Sequence, residues 1–83
     1  RNTALVIDDD ASARYVLRSL LAEIGFDVVE ASGGDEGLKW ARADRPQVVF
    51  LDLAMPETSG YQVLERLKAD DRTRAIPVVI HTS

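Results

Sequence analysis

The sequence predicts an α/β fold in which a parallel sheet carries helices on both faces. Three observations support this class. Short apolar runs suit strands that are buried on both faces, apolar residues recur with helical period between those runs, and the connections are short. The 83 residues have room for one core, so we assign residues 1–83 to a single domain.

The first strand covers residues 4–7, an apolar run that stops at three consecutive aspartates. From residue 11 to residue 24, apolar residues recur at steps of three and four, which predicts an amphipathic helix. Asp10 is placed to cap the start of this helix, and Gly25 is placed to end it.

A second strand is predicted over residues 26–29, with a second helix after it. Ser32, with Asp35 three residues later, resembles a capping box that opens this helix. Pro46 ends the helix, because the residue before a proline is displaced from the helical region. The first half of the chain is therefore expected to form two strand-helix units.

The third strand covers residues 48–51 and, like the first, is followed by an aspartate. A loop with proline and glycine then leads into a helix whose apolar stripe contains Tyr61, Leu64 and Leu67. That helix closes in the mixed-charge stretch of residues 68–74, and residues 77–80 form the fourth strand. Strands and helices thus alternate along the whole chain.

The composition excludes several kinds of site. Ten Lys and Arg against 14 Asp and Glu give a net charge of −4, which argues against direct binding to nucleic acid or anionic membranes. With no cysteine and a single histidine, His81, thiolate chemistry and multi-histidine metal sites are excluded. No apolar run could span a membrane and no signal-peptide segment opens the chain, so we expect a cytoplasmic protein.

Four side chains are predicted to meet at the carboxyl edge of the sheet, where open parallel sheets bind their ligands. Asp8 and Asp9 follow the first strand, Asp52 follows the third, and Thr82 follows the fourth. Three carboxylates there would repel one another unless a cation lay between them, and Mg²⁺ prefers such oxygen ligands. The alternative is that each aspartate is a solvated turn residue. This interpretation suits any one of them, but it is weaker as an explanation of all three together.

Three segments, in the same order along the chain, resemble the receiver domain of two-component response regulators. They are LVIDDD at residues 5–10, DLAMPETSG at residues 52–60 and IPVVIHTS at residues 76–83. The acidic pair, the Asp-x-x-Met-Pro-x-x-x-Gly block and the threonine after a strand are together far more specific than any one alone. The resemblance covers the whole chain and implies a doubly wound, flavodoxin-like sheet with strand order 2-1-3-4.

The resemblance also implies a role for each of these residues. Asp52 would accept a phosphoryl group from the phosphohistidine of a histidine kinase or a histidine phosphotransfer protein. Asp8, Asp9, Asp52 and the backbone carbonyl of Ala54 would hold Mg²⁺, with Mn²⁺ as an alternative ion. Thr82 would donate its hydroxyl to the phosphoryl group and couple phosphorylation to a change of shape. The residues that shape the loop would be Met55, Pro56 and Gly60.

The chain departs from the receiver pattern at its C-terminal end. Receivers have a lysine at the end of a fifth strand, whereas this chain stops at Ser83, before that position. The chain also opens on Arg1 without an initiator Met, so we expect a piece of a longer polypeptide, such as a hybrid histidine kinase. Without the fourth helix, fifth strand and fifth helix, we expect one poorly covered sheet face and an open edge at the fourth strand.

We interpret the chain as a phosphoacceptor switch rather than a turnover enzyme. The alternative, from another class, is a pseudo-receiver, meaning a protein-interaction module that works without phosphorylation. A third hypothesis, a small Mg²⁺-dependent hydrolase, is disfavoured. Ala54 stands where phosphatases of the haloacid dehalogenase type have a second aspartate.

Three other features have simpler interpretations. Residues 33–37, GGDEG, are similar to the GG[DE]EF signature of diguanylate cyclases, but helix-period positions follow them directly, so we interpret them as a helix start. His81 could be a phosphodonor, but a histidine within a strand is more often packed or exposed. Trp40 falls beside the apolar stripe of its helix, and we expect it to be partly exposed.

Overall fold

Seven elements follow one another in the computed structural model, which describes residues 2–56 and 59–81. They are β1 (Thr3–Ile7), α1 (Ala11–Glu23), β2 (Asp27–Ala31), α2 (Gly34–Asp44), β3 (Val48–Asp52), α3 (Gly60–Ala69) and β4 (Val78–His81). The strands form one parallel sheet in the order β2-β1-β3-β4. This arrangement confirms the predicted α/β class and strand order.

Apolar residues pack on both faces of the sheet, because alternate residues of a strand point to opposite faces. The larger cluster, on the side of α2 and α3, comprises Leu5, Ile7, Ala31, Leu38, Ala41, Val49, Leu51, Met55, Val63, Leu67 and Ile76. The smaller cluster, on the side of α1, comprises Ala4, Val6 and Leu21. Helices therefore cover both faces, as the sequence predicts.

Helix α1 has the ends that the sequence predicts. The Asp10 side chain caps it by accepting a hydrogen bond of 2.9 Å from the backbone N–H of Ser12. Gly25 follows the C-cap with a φ of 103°, a left-handed conformation that favours glycine. Among the described residues, α1 is the longest helix, and its 13 residues fall short of the about 20 that a membrane-spanning helix needs.

The predicted capping box of α2 is wrong by one residue. Gly33, not Ser32, is the N-cap, and the Glu36 carboxylate, not that of Asp35, reaches back toward the start of the helix. The backbone N–H of Ser32 donates to Glu36 Oε1 at 2.9 Å. Glu36 is the third residue of the helix, the position from which a side chain reaches back to a backbone N–H that precedes the first turn. The glycine-rich stretch is thus a helix start, as predicted.

The buried face of α3 differs from the predicted stripe. Tyr61 is 67% exposed, whereas Val63 and Leu67 are fully buried and Leu64 is partly buried. Gly60 is also buried, so the inner face follows residues 60, 63 and 67. Tyr61 lies about 100° further around the helix and points away from the sheet.

Part of the sheet is open among the described residues. Val16 and Leu20 of α1 and Val79 of β4 are exposed, and with Phe50 they line an apolar groove. β4 pairs with β3 on one side and with no described strand on the other. These features agree with the expected open face and open edge. Trp40 is 41% exposed, which confirms its predicted partial exposure.

Gly60 lets α3 approach the end of β3 very closely. A Cβ atom at this position would collide with the backbone of Leu53 and with the carbonyl oxygen of Asp52. Ser59 caps the same helix end by accepting a hydrogen bond of 3.2 Å from the Tyr61 backbone N–H. The start of α3 therefore packs directly against the backbone that carries Asp52.

We predict that Gly60→Ala destabilises the fold and displaces the end of β3. The collision is with backbone atoms, so no change of side-chain rotamer relieves it, and overpacking of this kind costs roughly 1–3 kcal/mol. Thermal unfolding measures the loss. Gly33→Ala is the steric control, because a Cβ there meets no atom within 4 Å and only the N-cap preference for glycine over alanine is lost. Equal stability of Gly60→Ala and the control would contradict the close approach.

Candidate functional site

Three carboxylates meet at the carboxyl edge of the sheet. Asp8 follows β1 and Asp52 ends β3, and the pairing of Ile7 with Leu51 places these two strand ends side by side. Asp8, Asp9 and Asp52 each offer a carboxylate oxygen, and these oxygens lie within 4.8 Å of one another. The structure thus brings together the three aspartates that the sequence singles out.

The two central carboxylates are buried and held by their own loops. Asp8 is 1% exposed and Asp52 is fully buried, whereas Asp9 is exposed. Asp8 Oδ1 accepts a hydrogen bond of 2.9 Å from the Asp10 N–H, and Asp52 Oδ1 accepts one of 2.9 Å from the Ala54 N–H. These short local bonds set the direction of each carboxylate.

The site is electrostatically unfavourable for Asp8. Burial raises the pKa of its carboxyl above the ordinary value, and the neighbouring Asp52 raises that pKa further. The Asp10 N–H and His81 act on this pKa in the opposite direction but do not outweigh burial. A cation bound among the carboxylates would remove this cost, and three carboxylates are a suitable donor set for a hard divalent ion.

The remaining site residues predicted from sequence lie in the loop after β3 or outside the described residues. Ala54 and Pro56 are exposed, and Met55 is buried in the larger apolar cluster. Met55 and Pro56 also line a cavity of about 390 Å³ beside Asp9 and the start of α2. Gly60 lies at the start of α3. The prediction for Thr82 lies outside the described residues.

One residue of the site was not predicted from the sequence. His81, interpreted there as a packed or exposed strand residue, pairs with Asp52 across β3 and β4. Its Nε2 lies 4.0 Å from Asp8 Oδ2. The position of His81 at the end of its strand could have indicated this. His81 is the last residue of β4, as Asp52 is the last residue of β3, and the two are paired.

We predict that Asp8→Asn stabilises the protein in metal-free buffer at neutral pH. The ionised Asp8 opposes folding because its pKa is raised in the folded state, and an amide removes that cost while its Oδ1 still accepts from Asp10. Thermal unfolding should show a gain of several degrees, at about 4–8 °C per kcal/mol.

The gain should shrink as pH falls through the raised pKa and vanish below 3.8, the ordinary pKa of Asp8, because the carboxyl is then protonated in both states. Asp71→Asn is the control, since Asp71 is exposed and its ion pair with Arg74 contributes little to stability. A loss of stability in Asp8→Asn at neutral pH would contradict this electrostatic assignment.

Two sequence relatives show how much of a longer protein this chain matches. The chain is 38% identical over 79 residues to Protein PilH of Pseudomonas aeruginosa, covering 95% of the chain and 65% of the relative. It is 39% identical to the Probable transcriptional regulator ycf27 of Porphyridium aerugineum, covering 95% of the chain and 32% of that protein. The chain thus spans about two thirds of one relative and one third of the other.

Solved structures with the same fold include a response regulator receiver protein and a chemotaxis protein. The N-terminal domain of a response regulator receiver protein from Methanoculleus marisnigri superposes with a TM-score of 0.90 at 37% identity, over 94% of this chain and 63% of that chain. The chemotaxis protein CheY4 of Vibrio cholerae also superposes with a TM-score of 0.90. The two chains are 25% identical, and the match covers 95% of this chain and 66% of that chain. Residues 4–83 match the response regulator receiver domain family, and the chain therefore belongs to that family.

Proposed function

We propose that this receiver domain is a phosphoacceptor that takes a phosphoryl group onto Asp52 from a histidine kinase or a histidine phosphotransfer protein. The observation that carries the proposal is the buried Asp52 carboxylate at the end of β3, within 4.8 Å of the Asp8 and Asp9 carboxylates. Family membership adds the expectation of a two-component partner.

Phosphotransfer would use one carboxylate oxygen of Asp52 as the nucleophile. That oxygen forms a bond to phosphorus as the bond from phosphorus to the donor imidazole nitrogen breaks, and the bonding pair stays on the imidazole. The product is an acyl phosphate. The bond between Asp52 Oδ1 and the Ala54 N–H holds the nucleophile in a fixed direction for in-line attack.

The ion in this proposal is Mg²⁺ or Mn²⁺, held by Asp8, Asp9, Asp52 and the backbone carbonyl of Ala54. When bound, it would neutralise charge on both the carboxylate and the incoming phosphoryl oxygens. The raised pKa of Asp8 and the clustering of the carboxylates support a cation at this place. Asp8 and Asp52, both buried, would exclude water from the side of the nucleophile that faces the sheet.

The switch in this proposal follows from the charge of the product. A phosphoryl group adds about two negative charges beside the end of β4. The Thr82 hydroxyl, next after β4, would donate to it and bias the surrounding loops between two arrangements. In this role the domain works in the cytoplasm as a signalling switch, not as a turnover enzyme, and with a net charge of −4 it does not itself bind nucleic acid.

The test is intact mass spectrometry of the full-length receiver after incubation with acetyl phosphate, with and without Mg²⁺. We expect the mass of one phosphoryl group to be added to the wild type only with Mg²⁺, and none to be added to Asp52→Asn. Asp71→Asn, which removes an exposed carboxylate far from the site, should be modified like the wild type. Hydroxylamine should release the group, because an acyl phosphate is labile to it.

An unmodified wild type that nonetheless binds Mg²⁺ would contradict the phosphoacceptor function. The pseudo-receiver alternative, which works without phosphorylation, would then explain the same fold and acidic site. Continuous release of inorganic phosphate over many turnovers would instead indicate the hydrolase.

A further inference from the structure

An arginine of α1 reaches the loop that carries the first two aspartates of the site. Arg14 Nη1 donates a hydrogen bond of 2.7 Å to the backbone carbonyl of Asp8. A bond of this length from a charged donor is a strong one. The carbonyl belongs to the peptide unit that joins Asp8 to Asp9, so Arg14 holds the piece of backbone that connects these two carboxylates.

The guanidinium of Arg14 is itself held in place. Its Nε donates to Glu30 Oε1 at 3.3 Å, and Glu30 stands on β2, where it pairs with Val6 of β1. The Arg14 side chain is only 17% exposed. A planar guanidinium with two fixed partners has little freedom to turn. Arg14 therefore joins α1, β2 and the loop after β1 at one point.

Two other polar groups of Asp8 are fixed without Arg14. Its N–H donates to the Ala31 carbonyl at 3.1 Å, and its Oδ1 accepts from the Asp10 N–H. These two bonds do not set the direction of the Asp8 carbonyl. Because Asp9 follows that carbonyl and its side chain is exposed, a turn of this peptide would swing the Asp9 carboxylate away from those of Asp8 and Asp52.

We propose that Arg14 is a positioning residue, which holds Asp8 and Asp9 in the arrangement that binds the cation without touching the cation itself. The proposal rests on the proposed function, because it assumes that a cation binds among the carboxylates during phosphotransfer. Groups that orient metal ligands from outside typically contribute about 10–100-fold to metal affinity. Arg14 acts in this way through the Asp8 carbonyl.

The guanidinium affects Mg²⁺ binding in two ways that have opposite signs. A positive charge near the site repels a cation, so removal of the charge alone should raise Mg²⁺ affinity. Loss of the hydrogen bond to the Asp8 carbonyl should lower Mg²⁺ affinity. The direction of the change in Arg14→Gln therefore distinguishes positioning from a simple charge effect.

Calorimetric Mg²⁺ affinities of the full-length receiver, measured below the unfolding transition of each variant, test the proposal. In Arg14→Gln the affinity should fall roughly tenfold. In Arg14→Lys, which keeps the charge but lacks the fork that meets two partners at once, it should fall about threefold. A rise in Arg14→Gln would overturn the proposal. If Arg14→Gln does not fold, wild-type affinity in Arg14→Lys would overturn it.

The matched controls are Arg18→Gln and Arg18→Lys. Arg18 lies one turn further along α1, and its Nε is 3.4 Å from Oε2 of the same Glu30. The Asp8 carbonyl is bonded by Arg14 instead. Because Arg18 is half exposed and its ion pair contributes little, both controls should stay within about twofold of the wild-type Mg²⁺ affinity. Equal falls in the Arg14 and Arg18 variants would overturn the proposal.

The Mg²⁺ dependence of phosphorylation separates positioning from a general loss of structure. In Arg14→Gln the Mg²⁺ concentration that gives half the maximal rate with acetyl phosphate should rise roughly tenfold, and the rate at saturating Mg²⁺ should stay within about twofold of the wild type. The reason is that Asp52 is oriented by the Ala54 N–H and not by Arg14. A lower rate at saturating Mg²⁺ with an unchanged half-maximal concentration would overturn the proposal.

Failure of this inference is distinguishable from failure of the proposed function. If the wild type binds Mg²⁺ and is phosphorylated, and both Arg14 variants bind Mg²⁺ as the wild type does, only the positioning role of Arg14 is wrong. If the wild type neither binds Mg²⁺ nor gains a phosphoryl group, the proposed function fails and the inference fails with it.

Discussion

The constraint on which the site depends is the parallel pairing of β1 with β3, which holds two buried carboxylates side by side. Asp8 and Asp52 end adjacent strands, and neither is accessible to solvent. Backbone hydrogen bonds between β1 and β3 hold the two strand ends side by side, so the two carboxylates stay close and continue to repel each other. Burial raises the pKa of Asp8, and the neighbouring Asp52 raises it further. A site built in this way favours a bound cation.

The rest of the fold serves to maintain that geometry. The two apolar clusters hold the sheet from both sides, and α3 presses against the end of β3 through Gly60. The loops after β1 and β3 turn back on their own aspartates through the N–H groups of Asp10 and Ala54. Secondary structure therefore positions the carboxylates, and the loops orient them. The three carboxylates thus lie together at the carboxyl edge of the sheet.

The fold class, the strand order and the three clustered aspartates could be predicted from the sequence, because they follow from apolar periodicity and from where each strand stops. Details that depend on contacts between elements could not. Tyr61 fits the helical stripe, but the close approach of Gly60 to β3 rotates α3 so that Val63 faces the core instead. Likewise His81 has no local signal of its own. Its place beside Asp52 arises from the register of β4 on β3, and a one-residue slip would have turned it to the other face.

The central claim is that the carboxylate held at the end of β3 is the group that receives phosphate. It is tested most directly by trapping the acyl phosphate with borohydride, which reduces the modified aspartate to homoserine, and locating that residue by tandem mass spectrometry. We expect homoserine at position 52 alone, formed only when a divalent cation is present during phosphorylation. Homoserine at position 8 or 9, or at an exposed aspartate such as Asp71, would contradict it.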